Sequence, residues 1–250
     1  MLKSFFNLFT SKKEEALIET DFTSIGADMH SHLIPGIDDG AKTIEDSLEL
    51  IRFLHSKGYT KLITTPHIMS DYFRNTPEII LGGLEEVRAA VKENNIPVQI
   101  EAAAEYYVDD GFIRKLEEEK LLTFGDNYLL MEVSYINPPE NIKEVFFRAQ
   151  ILGYKPILAH PERYPFWYRH VEEYQHFYDM GVVLQLNLNS LSGYYGPEAK
   201  KIGEKLIDMQ IIGALGTDMH HGKHAMALDK VTREKYLQKA FELPLINRYL

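Results

Sequence analysis

Residues 26–40 read GADMHSHLIPGIDDG. A short apolar lead-in runs into two histidines spaced two apart, His30 and His32, and then into a loop with Pro and Gly that carries Asp39. Side chains two apart on an extended strand point to one side, so the pair faces a common partner. The same pattern returns along the chain, each time as an apolar run that ends in a side chain able to ligate metal. These are His67 in ITTPH, Glu105 in EAAAEYY, Glu132 in LLMEVSY, His160 in ILAHPERY, and Asp218 with His220 in LGTDMHH. Together they predict that distant segments converge on one polar cavity at successive strand ends.

Working outward, the strand candidates are GADMHSH, YTKLITTPH, PVQIEAAAEYY, NYLLMEVSY, KPILAHPE, GVVLQLNLNS and IIGALGTDMH. Near-continuous hydrophobicity in most of them suits a parallel sheet buried on both faces. Between the first two lies TIEDSLELIRFLHSKG, where Leu48, Ile51, Leu54 and His55 follow helical spacing. Thr43 and Asp46 form a capping-box pattern, and Gly58 is a C-terminal stop. Further helices are expected over residues 77–94, 110–119, 139–152, 169–180, 197–209 and 225–242. Gly153, Gly181 and Gly213 punctuate the returns from helix to strand. Seven βα units with short connections predict a single-domain α/β protein, a TIM-like (β/α)7 barrel over residues 26–250, preceded by an N-terminal extension of residues 1–25.

The 250 residues suit one such barrel. There is no cysteine, which excludes disulfides, thiolate metal sites and cysteine nucleophiles and is compatible with a reducing cytoplasm. A formal net charge of −10 argues against nonspecific nucleic-acid binding. No apolar run approaches the roughly 20 residues of a membrane span. In the first residues, Leu2, Phe5, Phe6, Leu8 and Phe9 could form an amphipathic face beside Lys3, Lys12 and Lys13. The stretch lacks the features of a secretory signal. It reads as a terminal extension or as a weak anchor close to a membrane surface or partner.

A lone histidine at a strand end more often caps or fills a core than binds metal. A carboxylate inside an apolar run is different, because burying it unpaired costs several kcal/mol. Glu105 and Glu132 therefore need a cation or a proton. Asp39, Glu105, Glu132 and Asp218 would place about −4 in one cavity, and bound divalent ions would dominate that charge. Mixed imidazole and carboxylate ligation without sulfur suits Mn²⁺, Fe²⁺ or Zn²⁺. Asp28, one pleat before His30, is expected to orient an imidazole.

DMHSHLIPGIDDG, TTPH, AEYYV, MEVSY, AHPERY and GTDMH, in this order, resemble the PHP (polymerase and histidinol phosphatase) superfamily. Within it the chain is most similar to the bacterial manganese-dependent protein-tyrosine phosphatases of capsule and exopolysaccharide synthesis, over about residues 26–225. The resemblance implies a distorted seven-stranded barrel holding three divalent ions, with Mn favoured. One ion would take His30, His32, Glu105 and Asp218, a second Glu105, Glu132 and His160, and a third Asp39, His67 and His220. Arg163 matches the family's phosphate-orienting arginine, so the resemblance places His160, Arg163 and Asp218 in the catalytic machinery. A second family arginine is missing from the last motif, where HHGKH offers His221, Lys223 and His224 instead.

The chemistry implied is hydrolysis of a phosphate monoester by water acidified by bound cations, with Arg163 holding the equatorial oxygens. Aromatic residues follow several site motifs: Tyr72 and Phe73 with Arg74, then Tyr164, Phe166, Trp167 and Tyr168, then Tyr194 and Tyr195. They would grip a phosphotyrosine ring or pack the rim, and Tyr72, Trp167 and Lys223 are the substrate contacts expected besides Arg163. The expected partner is a phosphotyrosine protein, a bacterial tyrosine kinase, in the cytoplasm. Alternatives are a small-molecule phosphatase such as a histidinol-phosphate phosphatase, a DNA-processing nuclease, which the negative charge disfavours, and a non-catalytic metal-binding partner of a kinase complex.

Overall fold

The computed structural model describes residues 19–137 and 139–250; the amphipathic face expected at residues 1–18 lies outside them. Nine strands occur among the described residues: β1 (Ala27–Asp28), β2 (Lys61–Thr64), β3 (His67–Ile68), β4 (Gln99–Ala102), β5 (Glu105–Tyr107), β6 (Tyr128–Glu132), β7 (Lys155–Ala159), β8 (Val183–Asn187) and β9 (Ile212–Gly216). The α-helices are α1 (Ile44–Ser56), α2 (Pro77–Glu93), α3 (Asp110–Glu118), α4 (Ile142–Ile151), α5 (Val171–Asp179), α6 (Leu188–Leu191), α7 (Pro197–Asp208), α8 (Gly222–Val231) and α9 (Lys235–Phe241).

All strand pairings between these elements are parallel. They form a sheet ordered β1-β2-β4 and another ordered β3-β5-β6-β7-β8-β9. Two of the seven expected strands are thus each split in two. YTKLITTPH breaks at Thr65 and Pro66, where proline has no N–H to give the ladder, and PVQIEAAAEYY breaks at Ala103 and Ala104. The broken halves are stitched across by backbone hydrogen bonds: Ala103 N donates to Thr64 O at 2.9 Å and Glu105 N to Pro66 O at 3.1 Å. The breaks lie directly before His67 and Glu105, so each begins its own short strand.

The segments that follow the first and last strands also meet. Beyond β1 and β9, Asp218 N donates to His30 O at 2.7 Å and His32 N to Met219 O at 2.9 Å, around a parallel bridge between Ser31 and Met219. Lower down, Asn247 Nδ2 donates to both Ala27 O and Leu215 O. One buried amide thereby ties β1 to β9.

An apolar layer of Met29, Ile63, Ala103, Phe124, Leu130, Ile157, Ala159 and Ala214 is buried between the strands. Leu130 stands one pleat before Glu132 on the same face, so the strand faces that carry the site continue downward as a dry floor. The larger core packs helices onto the outer faces and includes Phe22 and Ile25. These two residues fall within the extension expected at 1–25, yet both are buried, with Phe22 stacked on Tyr59.

Helix α1 carries the expected capping box: Thr43 Oγ1 accepts from Asp46 N, and Asp46 Oδ2 accepts from Thr43 N. The helix expected at 225–242 is instead α8 and α9, interrupted at Thr232–Glu234, where Thr232 O accepts from Thr20 N. Gly213 does not end a helix; it lies inside β9, and the left-handed turn residue there is Gln210, at φ +59°.

Candidate metal centre

The site is built where strands end and where the two broken strands resume, with His67 opening β3 and Glu105 opening β5. Glu132 closes β6 and His160 follows β7. Asp218 follows β9 at φ +49°. His30, His32, Glu105 and His160 are almost fully buried, as are Glu132 and Asp218. Glu105 is the hub. Its Oε2 lies 3.2 Å from His30 Nε2, 3.2 Å from His67 Nδ1 and 3.4 Å from His32 Nε2, and its Oε1 lies 3.2 Å from His160 Nε2. Asp218 Oδ1 reaches His30, His32 and His220 at 3.3–3.5 Å. At the solvent side, Asp39 Oδ1 stands 3.5 Å from His67 and 3.4 Å from His220. The fold brings all nine expected ligands into one cluster.

Three overlapping groups have ligand atoms within 4.8 Å of one another: His30, His32, Glu105 and Asp218; His67, Glu105 and Glu132; and His32, Asp39, His67 and His220. Glu105 Oε2 and His67 Nδ1 are buried without a hydrogen-bond partner. A buried lone pair left without a donor is costly, and a cation between these atoms would satisfy both. The donor set fits divalent metal.

Electrostatics points the same way. Burial alone would lower His30, but the carboxylates of Glu105 and Asp218 outweigh it and raise it to about 9. Glu105, which burial would raise, is held well below the ordinary carboxylate range by His30 and His67. Burial and the neighbouring Glu105 charge push Glu132 up to about 8, while burial and Arg163 lower His160 to about 4. Burial would lower His32 as well, but carboxylates raise it, Asp38 foremost among them. Without metal, the two imidazoles therefore favour their protonated forms beside the buried carboxylates, a balance that bound cations would take over.

Two orienting residues lie outside the expected site residues. Gln185 Oε1 lies 2.8 Å from His30 Nδ1, and Asp38 Oδ2 lies 2.7 Å from His32 Nδ1. Asp28, expected to orient an imidazole, instead accepts from Thr217 N and Thr217 Oγ1 at 2.9 and 2.8 Å. A buried glutamine in the run VVLQLNL was the available signal for Gln185, because a polar group on a buried strand face needs a partner. Gly216 makes room for this arrangement: a Cβ there would stand 2.6 Å from Gln185 Nε2 and 2.7 Å from His30 Cβ.

A cavity of about 560 Å³ opens above the cluster. Its walls include Phe73, Tyr135, Arg163, Tyr195 and His224. Phe73 stacks on the His67 ring, and Tyr135 stacks on His160. The other expected substrate contacts lie elsewhere. Trp167 is 6% exposed and packs edge-on against Tyr164, Phe166, Tyr174 and Phe177, away from the cavity. Tyr72 is 79% exposed and does not line the cavity, nor does Lys223; at the start of α8, His221 and His224 do.

A parallel α/β fold with carboxylates and imidazoles gathered at strand ends defines a metal-site protein, and its likeness to known structures agrees. It superposes with a TM-score of 0.75 and 26% identity, over 89% of this chain and 90% of the other, on a structure from a study of YwqE from Bacillus subtilis and CpsB from Streptococcus pneumoniae, described as metal-dependent tyrosine phosphatases. An amidohydrolase from Mycoplasma synoviae shares the fold alone, at a TM-score of 0.53 and 13% identity over 90% of this chain and 87% of that one. The chain belongs to the CpsB/CapC family of capsular polysaccharide synthesis, which matches residues 26–243. Similar relatives are the tyrosine-protein phosphatase YwqE of B. subtilis strain 168, 27% identical over 78% of each chain, and the tyrosine-protein phosphatase CpsB of S. pneumoniae, 28% identical over 86% of this chain and 88% of that one.

Proposed function

We propose that this protein is a metal-dependent protein-tyrosine phosphatase of a capsule or exopolysaccharide system, acting in the cytoplasm on a phosphorylated bacterial tyrosine kinase. The observation that carries the reading is the cluster around Glu105, set beneath an aromatic-walled cavity that Arg163 overlooks. The relatives named as tyrosine-protein phosphatases support it.

Three ions, manganese first, would be held by His30, His32, Glu105 and Asp218; by Glu105, Glu132 and His160; and by Asp39, His67 and His220. Glu105 Oε2 lies 3.2 Å from His30 Nε2 and Oε1 lies 3.2 Å from His160 Nε2, which supports a carboxylate shared between the first two sites. Bound divalent ions supply Lewis acidity and lower the pKa of water to near neutrality. A distorted seven-stranded barrel is the architecture this reading implies, and the Ser31–Met219 bridge between the segments that follow the first and last strands supports it.

The chain's own residues perform the rest. Asp38 and Gln185 hold the Nδ1 atoms of His32 and His30, so that both Nε2 atoms face the cluster. Arg163, a guanidinium with several donors in one plane, binds phosphate oxygens as their charge grows. Phe73, Tyr135 and Tyr195 wall the space in which a phenyl ring would lie. A phenolate leaves readily, so the site has little need of a strong general acid.

The test is hydrolysis of a phosphotyrosine peptide by metal-stripped protein after Mn²⁺ readdition. Activity should return with the metal, vanish in His160→Ala and drop steeply in Arg163→Ala. Turnover that survives complete metal removal would refute the reading.

A further inference from the structure

The guanidinium of Arg163 sits in a closed ring of contacts. Its Nη1 donates to Asp218 Oδ2 at 2.7 Å. The same oxygen accepts from Asn187 Nδ2 at 2.8 Å, and that amide nitrogen lies 3.3 Å from Tyr195 OH. The Tyr195 ring closes the circuit, with its centre 4.1 Å from Arg163 Cζ. On the other side, the Tyr135 ring centre is 5.0 Å from the same carbon. The amide of Asn187 cannot turn away, because its Oδ1 accepts from Asn189 N at 2.9 Å at the start of α6.

Each contact removes a freedom. Asp218 fixes the guanidinium in its plane, while the two aromatic faces fix that plane's tilt. Asp218 Oδ1 meanwhile faces His30, His32 and His220. The height of Arg163 above the metal cluster is therefore set by one carboxylate that serves both. An arginine free to swing would spend conformational entropy at every binding event, whereas one held in advance has lost it on folding.

We infer that Tyr195, anchored by Asn187 and opposed by Tyr135, is a positioning residue that holds Arg163 ready for the phosphoryl group. Among the described residues that wall the cavity, Arg163 is the only arginine or lysine, so its placement decides where a phosphoryl group is held. The inference rests on the phosphate-binding role proposed for Arg163.

Two measurements test it on the full chain. The first needs no metal: the Arg163 Nε–H resonance, assigned by its loss in Arg163→Lys, should carry a ring-current shift that shrinks in Tyr195→Ala to the share of Tyr135 and persists in Tyr195→Phe. The second is binding of inorganic phosphate to the Mn²⁺-loaded protein. Tyr195→Ala should weaken it about tenfold, the scale of one cation–aromatic contact in a desolvated site. Tyr195→Phe, which keeps the ring but loses the Asn187 anchor, should fall between the parent and Tyr195→Ala, and Tyr195→Ala should cost nothing further in an Arg163→Ala background. An unchanged Arg163 resonance in Tyr195→Ala, or losses that multiply in the double variant, would overturn the inference. A protein that passes both tests yet leaves phosphotyrosine peptide intact keeps the bracket and sinks the phosphatase reading instead.

Discussion

Asp38 Oδ2 lies 2.7 Å from His32 Nδ1, and the same oxygen accepts the backbone N–H of His67 at 3.1 Å. One buried carboxylate thus sets the tautomer of one candidate ligand and the backbone position of another. Asp38 is not itself among the clustered ligands, so its influence runs through orientation. Replacing Asp38 with Ala should weaken metal binding by about 10–100-fold, the usual cost of losing such a partner. Titration of stripped protein with Mn²⁺ measures this, and parent-like affinity would contradict it.

Glu105 touches four imidazoles, those of His30, His32, His67 and His160. If it is shared between ions, Glu105→Gln should empty more than one position at once. Elemental analysis after gel filtration reads the metal-to-protein ratio directly. A fall of one ion or less would argue against sharing.

The metal-free protein should respond to pH in a defined direction. His30 is raised from 6.5 to about 9, because Glu105 and Asp218 outweigh its burial. A raised histidine contributes stability that is fully present below its unfolded value and is lost as pH climbs through its folded one. The melting temperature of the stripped protein should therefore fall as pH rises from about 7 past 9. Metal must eject the same proton, so binding should release protons near neutrality and tighten over this window. Calorimetry in buffers of different ionisation enthalpy counts those protons, and zero release at pH 7 would exclude this coupling.

Trp167 and Tyr72 should now separate. Trp167 is buried among four aromatic rings, so Trp167→Ala should cost about 3–5 kcal/mol of stability and leave the KM of the folded enzyme unchanged. Tyr72 is largely exposed, and Tyr72→Ala should stay within about 0.5 kcal/mol of the parent. Chemical denaturation paired with steady-state kinetics checks both. A raised KM in Trp167→Ala with parent stability would return that ring to the substrate.

Much of this molecule was legible in one dimension. Thr43 and Asp46 cap α1 because a capping box is a local device, closed within four residues. Most of the nine residues expected to ligate metal could be found because they end or closely follow an apolar run, and in parallel α/β folds such positions share one face. The break at Pro66 has a local cause in the missing proline N–H, whereas the one after Ala102 is hidden because Ala103 and Ala104 keep that stretch apolar. The gap between α8 and α9 is held by a contact with Thr20, more than 200 residues away, which no helical periodicity could reveal.

Read alone, the amino-acid order told which segments are apolar and which carboxylates and imidazoles stand beside them, and hence which polar groups were expected to meet. Tertiary structure alone decided which of their neighbours orient them. Gln185 serves His30 and Asp28 serves Thr217, Trp167 turns into the core, and Tyr135 and Tyr195 close on Arg163. The physical reason is reach: burial and periodicity are properties of a segment, whereas a hydrogen bond or a stacked ring depends on a few ångströms between segments that only the finished packing brings together.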